Sequence, residues 1–570
     1  MSRRPPRTIA IIGAGPAGLA ALKSVLETQH YKDGLWNPIV FELRSAVGGV
    51  WIPATPDPTN PKIHPDTPLY DSLTTNLPHP LMAYADFPFP PSTPIFPKAE
   101  YVQRYLASYA DTFSLRPFIR LSTRVTSMEY QGAGWTLKVR STDSAQTETQ
   151  PETILADLVM ICNGHYASPR FPATPGVADW LDRGLASHSM WYRHPPRSSS
   201  EKEEDKTILI VGAGPSGQDL TADFLALKSS PTTRHTIIHS TTEGAYLPSD
   251  ERDIPQPNGN ILKRRGRVVQ YHPLPQPPNP RESEFGEPLQ GTVTFEPPHH
   301  PEGAEGETIS GISHVYLATG YDYDYPFLQP PILSNAFPPP LPLPPAPHQT
   351  HPLYNCGFSV SWLAQHMWPL HLPLERSQLE AIDAAVTTYP PTSLAFLGLL
   401  SRVSPLPLVE VQAQAVLAAF SDPSLLDQVK ETLAVEQRYK ELKDSVGEDS
   451  ENIVNEKVYK AWHKFEPMQQ YDYREELYSD FIASSAPSSS SPTVVPAWHR
   501  EMYNEKGILR QTWRALERSG EAEAFVRGVG SGPDPKAEWE ACLRQLLKRG
   551  IEGKMKEEVS GEKSVDLGRI

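Results

Sequence analysis

Apolar and polar positions change their period several times along this chain, and each change marks an element. Thr8-Ile9-Ala10-Ile11-Ile12 is a short β-rich apolar run, and Leu19 to Leu26, beyond a glycine-rich hexapeptide, has helical composition. The same order of strand, turn and helix returns far downstream. There Thr207-Ile208-Leu209-Ile210-Val211 leads into a second glycine-rich hexapeptide and a helix over Gln218 to Lys228. Between the two copies the pattern predicts a strand from Pro38 to Glu42 after a polar loop, Thr28 to Asn37. It also predicts a helix over Tyr101 to Phe113 and strands over Arg120–Tyr130, Trp135–Val139 and Thr153–Ile161. Thr236 to His239 reads as a strand after the second copy, and Asp427–Lys443 and Ala537–Arg549 read as polar helices of a C-terminal extension.

Proline punctuates this pattern. The 62 prolines among 570 residues are about 11% of the chain against a usual share of roughly 5%. They gather in Pro255–Pro301 and Pro330–Pro352, the latter holding Leu341-Pro342-Leu343-Pro344-Pro345, which reads as polyproline II. Both stretches read as insertions, and Ser484–Pro492 as a Ser/Pro linker. A net charge of −15 without a long basic block argues against nucleic acid or an anionic lipid surface as partner. Three cysteines, Cys162, Cys356 and Cys542, form neither a disulfide framework nor a CxxC pair nor a cysteine-rich zinc site, which fits a reducing, cytoplasmic compartment. Arg3, Arg4 and Arg7 ahead of the first apolar run mimic a signal peptide, but the glycines that follow explain the run better. The longest apolar candidate for a membrane span, Leu394 to Phe420, is broken by Arg402, Pro405, Pro407 and Glu410.

The two hexapeptides carry the chemistry. Gly13-Ala14-Gly15-Pro16-Ala17-Gly18 and Gly212-Ala213-Gly214-Pro215-Ser216-Gly217 both match GxGxxG. In that spacing the first glycine permits the bend, the second lets backbone approach a pyrophosphate, and the third lets helix pack on strand. The helix N-terminus adds positive potential. Glu42, at the tip of the strand after the first copy, is placed to bind ribose hydroxyls. After the second copy the tip reads His239-Ser240-Thr241-Thr242, with no carboxylate to repel a 2′-phosphate and a hydroxyl such as Ser240 to bond it. This favours NADP, although no arginine stands at the tip and Arg234 is only near. Two dinucleotide sites in one chain imply an oxidoreductase in which one site holds a flavin and the other admits a nicotinamide.

Further residues match more than a generic fold. Phe41-Glu42-Leu43-Arg44-Ser45-Ala46-Val47-Gly48-Gly49-Val50-Trp51 resembles the glutamate and GGxW of the flavin-containing monooxygenases. Tyr70-Asp71-Ser72-Leu73-Thr74-Thr75-Asn76-Leu77-Pro78 resembles that family's active-site stretch, and Gly184 to Tyr192 carries most of its FxGxxxHxxxY signature. Leu317-Ala318-Thr319-Gly320-Tyr321 is similar to its ATGY motif, and Leu394–Gly398 and Pro407–Ala413 to its C-terminal pattern. The order is the family's, from about residue 7 to 420. Asp182 departs from the signature's Phe, Ser216 from a frequent Asn, and the Pro-rich insertions look like those of fungal members.

The resemblance implies an α/β chain of two Rossmann-like domains, the NADP domain inserted in a discontinuous FAD domain, plus a C-terminal helical extension. The expected boundaries are 1–166 and 325–425 for FAD, 167–324 for NADP and 426–570 for the extension. FAD is then expected on Gly13, Ala14, Gly15, Pro16, Ala17 and Gly18, with Glu42 on its ribose and Gly49, Val50, Trp51, Thr75 and Asn76 along the flavin. Val125 falls where relatives present backbone to adenine, and a plain core valine would look the same. NADP is expected on Gly212, Gly214, Pro215, Ser216, Gly217 and Ser240, with His188, Tyr192, Thr319 and Gly320 between the domains. His188 also fits the commoner role of a structural histidine. The implied chemistry is hydride transfer from NADPH to FAD and reaction with O2 to a C4a-hydroperoxide, from which oxygen passes to a small molecule's nucleophilic sulfur or nitrogen, with Asn76 as the catalytic residue. The alternatives are a Baeyer–Villiger monooxygenase acting on a ketone and a catalytically silent flavin-binding scaffold. The adjacent His299-His300 in a Pro-rich loop assign no metal, and nothing in the sequence sets the oligomeric state.

Overall fold

The computed structural model describes residues 5–57, 64–142, 150–196, 205–228, 233–274, 289–299, 305–328, 330, 332–337, 339, 353–370, 389–447, 451–483 and 495–560. The linker 484–492 and the polyproline run 341–345 lie outside them. The chain divides into two compact units: Met1–Ile52, Thr74–His165 and Tyr323–Glu562 form one, and Pro53–Leu73 with Tyr166–Asp322 the other. The short segment 53–73 therefore goes with the second unit rather than with the rest of 1–166.

The first unit is built on five parallel strands in the order Leu394–Phe396, Leu158–Ile161, Arg7–Ile12, Trp36–Phe41, Ile119–Arg120. Its central strand has no polar face because both faces are covered. Ile9 and Ile11 pack with the helices Pro16–Glu27, Ala99–Thr112 and Pro405–Ser421, while Ala10 and Ile12 join Phe41, Val125 and Leu137 on the other side. The second side is roofed by an antiparallel sheet of Thr123–Tyr130, Trp135–Ser141 and Glu152–Ala156.

Two continuous apolar runs prove to be two strands each. Arg120–Tyr130 breaks at Ser122, which takes φ 48°, so Ile119–Arg120 stays in the parallel sheet and Thr123–Tyr130 joins the roof. Thr153–Ile161 breaks at Asp157, whose N–H donates to the Thr8 carbonyl and whose carboxylate accepts the Thr8 N–H at 2.7 Å. Hydrophobic pattern alone does not reveal a change of sheet. The loop Thr28–Asn37 likewise holds a helical turn, Gln29–Lys32, capped by the Thr28 hydroxyl, and Leu394–Phe420 separates into a strand and the helix Pro405–Ser421.

The second unit is an eight-stranded sheet in the order Asp253–Pro255, Ile261–Arg265, Thr236–Ser240, Thr207–Val211, Thr308–Leu317, Gly291–Phe295, Val268–Tyr271, with Ala186–His188 beside Thr308–Leu317. The stretch Pro255–Pro301 is thus no insertion, for it supplies three of these strands. Its prolines and glycines sit in connections, and the run Ile261-Leu262-Lys263-Arg264-Arg265 hides a strand behind three basic residues.

The C-terminal residues are helical, including Gln428–Val446, Lys506–Ser519 and Pro535–Ser560. Their buried Leu509, Trp513, Trp539 and Leu543 share a core with Leu81, Ile95 and Phe96 of the first unit. Among the described residues no helix is long and apolar enough to cross a membrane.

Candidate functional site

In the first unit the bend after Arg7–Ile12 depends on missing side chains. Gly13 has φ 104°, and a Cβ there would lie 2.5 Å from the Cys162 carbonyl oxygen. A Cβ on Gly18 would lie 1.8 Å from the Gly13 carbonyl oxygen, so helix and strand meet backbone to backbone. The helix opens with Gly15 as its cap and Pro16 in its first turn, and no side chain caps it. Its amide-rich end is therefore left for an external anion. Ala14 is buried, and its N–H donates at 2.7 Å to one oxygen of the Glu42 carboxylate. The other Glu42 oxygen accepts from the Arg44 N–H at 2.8 Å.

A second turn closes on the first. Gly49, at φ 55°, would bring a Cβ to 2.9 Å from the Gly15 Cα, and the Gly48 N–H donates to the Ala14 carbonyl at 3.0 Å. Gly49-Val50-Trp51 forms a single 3-10 turn. The Arg44 guanidinium, whose role the sequence did not disclose, ties that turn down by donating to the carbonyls of Gly49 at 3.0 Å and Ile52 at 3.1 Å. Val125 is a core valine on the roof strand, and the ladder is irregular between it and Ser127.

Thr75 is buried, donating its N–H to the Pro97 carbonyl at 3.0 Å and its hydroxyl to the Leu77 carbonyl at 2.7 Å. Asn76 beside it is exposed, with no side-chain hydrogen bond to any described residue. The chain beyond it is held by the turn between the C-terminal helices Ala522–Val526 and Pro535–Ser560 and by the second of these. The Ser92 N–H donates to the Val529 carbonyl at 3.0 Å, and the Gly528 N–H donates to the Ser92 hydroxyl at 3.1 Å. The His79 ring meets the Trp539 indole edge-on at 4.3 Å. Burial pushes the His79 pKa down to about 3, only partly opposed by the Thr93 backbone.

The second unit repeats the bend with one difference. Gly212 has φ 129° and would place a Cβ 2.2 Å from the Ala318 carbonyl oxygen, and Gly217 would place one 2.0 Å from that of Gly212. Gly214 is exposed, and a Cβ there meets nothing within 4 Å. Pro215 and Ser216 open the helix Pro215–Leu225, whose N-terminus again has no side-chain cap. His239, unremarked in the sequence, braces this turn: its Nε2 donates at 2.9 Å to the Gly212 carbonyl, and burial lowers its pKa.

Ser240 does not present its hydroxyl at the strand tip. It is buried and donates to the Gly266 carbonyl at 2.8 Å, because strand alternation turns it to the sheet face opposite His239. Arg234 stands at the other end of the strand, with its N–H on Asp205 at 2.7 Å. His188 is buried and fully engaged, its Nε2 donating to the Gly320 carbonyl at 2.9 Å and its Nδ1 accepting the Met190 N–H at 3.1 Å. It is a neutral brace for the Thr319-Gly320 turn, burial having pushed its pKa down to about 4. The Thr319 hydroxyl donates to the Arg170 carbonyl. The Tyr192 and Ser72 hydroxyls donate to one oxygen of Asp223 at 2.7 and 2.6 Å, and the Tyr70 hydroxyl donates to Asp219 at 2.7 Å. Asp219 and Asp223 lie one turn apart on Pro215–Leu225, and no local pattern signals this clamp. His299 stacks on Tyr246 at 4.1 Å, and the described residues contain no metal-binding cluster.

Comparison with known proteins gives a concordant result. Residues 6–279 match the family model described as Flavin-binding monooxygenase-like. Among curated relatives, Flavin-containing monooxygenase FMO GS-OX5 of Arabidopsis thaliana is 29% identical over 286 residues, covering 46% of this chain and 58% of that protein. FMO GS-OX-like 4 of the same plant is 28% identical over 341 residues, covering 56% and 64%. The match thus spans about three fifths of these relatives' length. The fold is that of S-allyl-L-cysteine S-oxygenase from Allium sativum, with a TM-score of 0.61, 22% identity and coverage of 95% of this chain and 99% of that one. Tmm from Pelagibacter sp. strain HTCC7211 aligns with a TM-score of 0.56 at 16% identity, over 89% of this chain and 90% of its own.

Proposed function

We infer that this chain, of which residues 6–279 match the flavin-binding monooxygenase-like family model, is an NADPH-dependent FAD monooxygenase that oxygenates a nucleophilic sulfur or nitrogen of a small molecule. One observation carries the reading: each unit holds a glycine cradle at an uncapped helix N-terminus, and in each a Cβ at the first or third glycine would collide with backbone. Such a cradle fits a pyrophosphate, whose charge the free amides take up.

FAD belongs to the first cradle. Gly13 to Gly18 would hold its pyrophosphate, and Glu42, with both oxygens already directed by Ala14 and Arg44, would accept from its ribose. Gly49-Val50-Trp51, fixed by Arg44, would line the flavin side, and Val125 would present backbone to the adenine. NADPH belongs to the second, on Gly212, Gly214, Pro215, Ser216 and Gly217. His188 and Tyr192 position the surrounding backbone and transfer no proton. Bound FAD supplies the redox chemistry, taking a hydride from the nicotinamide and activating O2. Per turnover one NADPH, one proton and one O2 are consumed; one oxygen atom joins the substrate lone pair and the other leaves as water. The exposed amide of Asn76 would donate and accept hydrogen bonds at the flavin. The sulfur preference draws on the S-allyl-L-cysteine S-oxygenase from Allium sativum that shares the fold, and the nitrogen alternative on the family resemblance.

The test is the absorption spectrum during anaerobic NADPH addition and then admission of oxygen, without substrate. The expected result is bleaching of bound flavin, then reoxidation through a long-lived intermediate. A flavin that NADPH never bleaches would overturn the reading in favour of a silent scaffold. Sulfoxide or N-oxide formation from simple thioether and tertiary amine probes, against ester from a cyclic ketone, separates the two oxygenation chemistries.

A further inference from the structure

No acid stands among His239–Thr242 at the strand tip of the second cradle to select a nicotinamide without a 2′-phosphate, and Ser240 is turned inward; the neighbouring strand carries the nearest unpaired cation among the described residues. Strands Thr236–Ser240 and Ile261–Arg265 are parallel with His239 opposite Arg264. Leu262 packs with Ile237, Leu220 and Phe224, so alternation puts Arg264 on the same sheet face, under the helix that begins at Gly214. His239 on that face reaches the Gly212 carbonyl, which fixes the row Gly212, His239, Arg264 across the carboxyl ends of three adjacent strands. Arg264 lies close enough to His239 to lower its basicity.

The neighbouring arginines are already spent. Arg265 points to the opposite face and pairs with Asp253 at 2.7 Å and with Glu307. Arg267 is paired with Glu296 at 3.0 Å. Arg264 is half-exposed, and its guanidinium has no hydrogen bond or ion pair to any described residue. Adjacent strands are about 4.8 Å apart, a gap that an arginine side chain spans. Its fork is long enough to span from that register to the end of Thr236–Ser240, where Thr241 and Thr242 lie and where the ribose of a dinucleotide on Gly212–Gly217 would sit.

We propose that Arg264 is the residue that binds the 2′-phosphate of NADP(H) and sets the preference for it over NAD(H). The assignment rests on the reading of the second cradle as the nicotinamide site. A planar, permanently charged fork matches a phosphate dianion bidentately, and it stands one strand away from where the sequence is ordinarily searched. Glu243, exposed just beyond Thr242, is the competing selector, because a carboxylate there favours free ribose hydroxyls.

The test is calorimetric titration of the FAD-loaded protein with 2′,5′-ADP and with 5′-AMP, fragments that differ only in the 2′-phosphate. Arg264→Gln is expected to weaken 2′,5′-ADP by about 10- to 100-fold, the range of a charge-assisted pair, while 5′-AMP stays within twofold. Arg264→Lys recovers part of the loss. Equal weakening of both fragments, or of neither, overturns the assignment, as does a wild-type protein that prefers 5′-AMP, which points to Glu243. A wild-type protein that binds neither fragment refutes the cradle reading itself. The unchanged midpoint of thermal unfolding in Arg264→Gln shows that the fold is not what was lost.

Discussion

Gly214 and Gly212 stand two residues apart in the same turn, and the structure predicts opposite consequences for replacing them. At Gly214 the backbone is extended, with φ −73° and ψ 175°, and a new Cβ meets nothing within 4 Å. Gly214→Asp is therefore free of strain and adds a good helix cap worth about 0.5–2 kcal/mol. Its carboxylate takes the amides that a pyrophosphate would use and repels it. At about 4 Å and an effective dielectric near 20 one such charge pair costs about 4 kcal/mol, and solvent at this exposed turn halves it to about 2. Nicotinamide affinity should fall by about 30- to 1,000-fold, with no loss of thermal stability and with FAD still bound. Gly212→Ala differs: φ 129° is left-handed, and the methyl would stand 2.2 Å from the Ala318 carbonyl oxygen. Backbone strain of about 1–2 kcal/mol plus overpacking of about 1–3 should lower the stability of the second unit by about 2–5 kcal/mol. The assay pairs NADPH titration of the flavin-loaded protein with thermal unfolding. A Gly214→Asp protein that binds NADPH within threefold of wild type would refute the argument, and loss of FAD alone would reverse the assignment of the two cradles.

Other consequences are equally accessible. Asn76→Asp should keep FAD but divert NADPH oxidation from product to peroxide, and equal product per NADPH in variant and wild type would remove Asn76 from the chemistry. Gly49→Ala, whose methyl falls 2.9 Å from the Gly15 Cα, should lower FAD retention on gel filtration at least tenfold; a fully yellow variant would show that the two turns need not touch. His79 is buried with a pKa near 3, below its unfolded value, so the unfolded chain binds the extra proton. Its contribution to stability is complete above about pH 6.5 and is lost as pH falls toward 3, at up to about 1.4 kcal/mol per pH unit. His79→Leu should flatten the pH dependence of urea unfolding between pH 4 and 6 by about one proton, and an unchanged slope would place the acid sensitivity elsewhere.

The chemistry was legible in the sequence where it depends on backbone. A turn that must lack Cβ atoms can be written only with glycine, so Gly13, Gly18, Gly212 and Gly217 declare themselves, and Glu42 follows from the strand that precedes it. Side-chain direction was less legible. The row of hydroxyls at the strand tip suggests Ser240 as a phosphate contact, whereas alternation along Thr236–Ser240 sends it inward to Gly266. Tyr192, read as part of a signature, binds Asp223 on the second helix, a partner 31 residues away that no local pattern encodes.

The two glycine turns, the α/β alternation around them and the family resemblance can be read from short stretches of chain, because they follow from local steric rules and short periodicities. That Thr153–Ile161 serves two sheets, that Pro255–Pro301 furnishes strands, and that Arg44, His239 and Arg264 lie at the cradles emerges from long-range packing. Those outcomes depend on which strand lies next to which, and strand order is set by burying surfaces from distant parts of the chain, which no window of sequence contains.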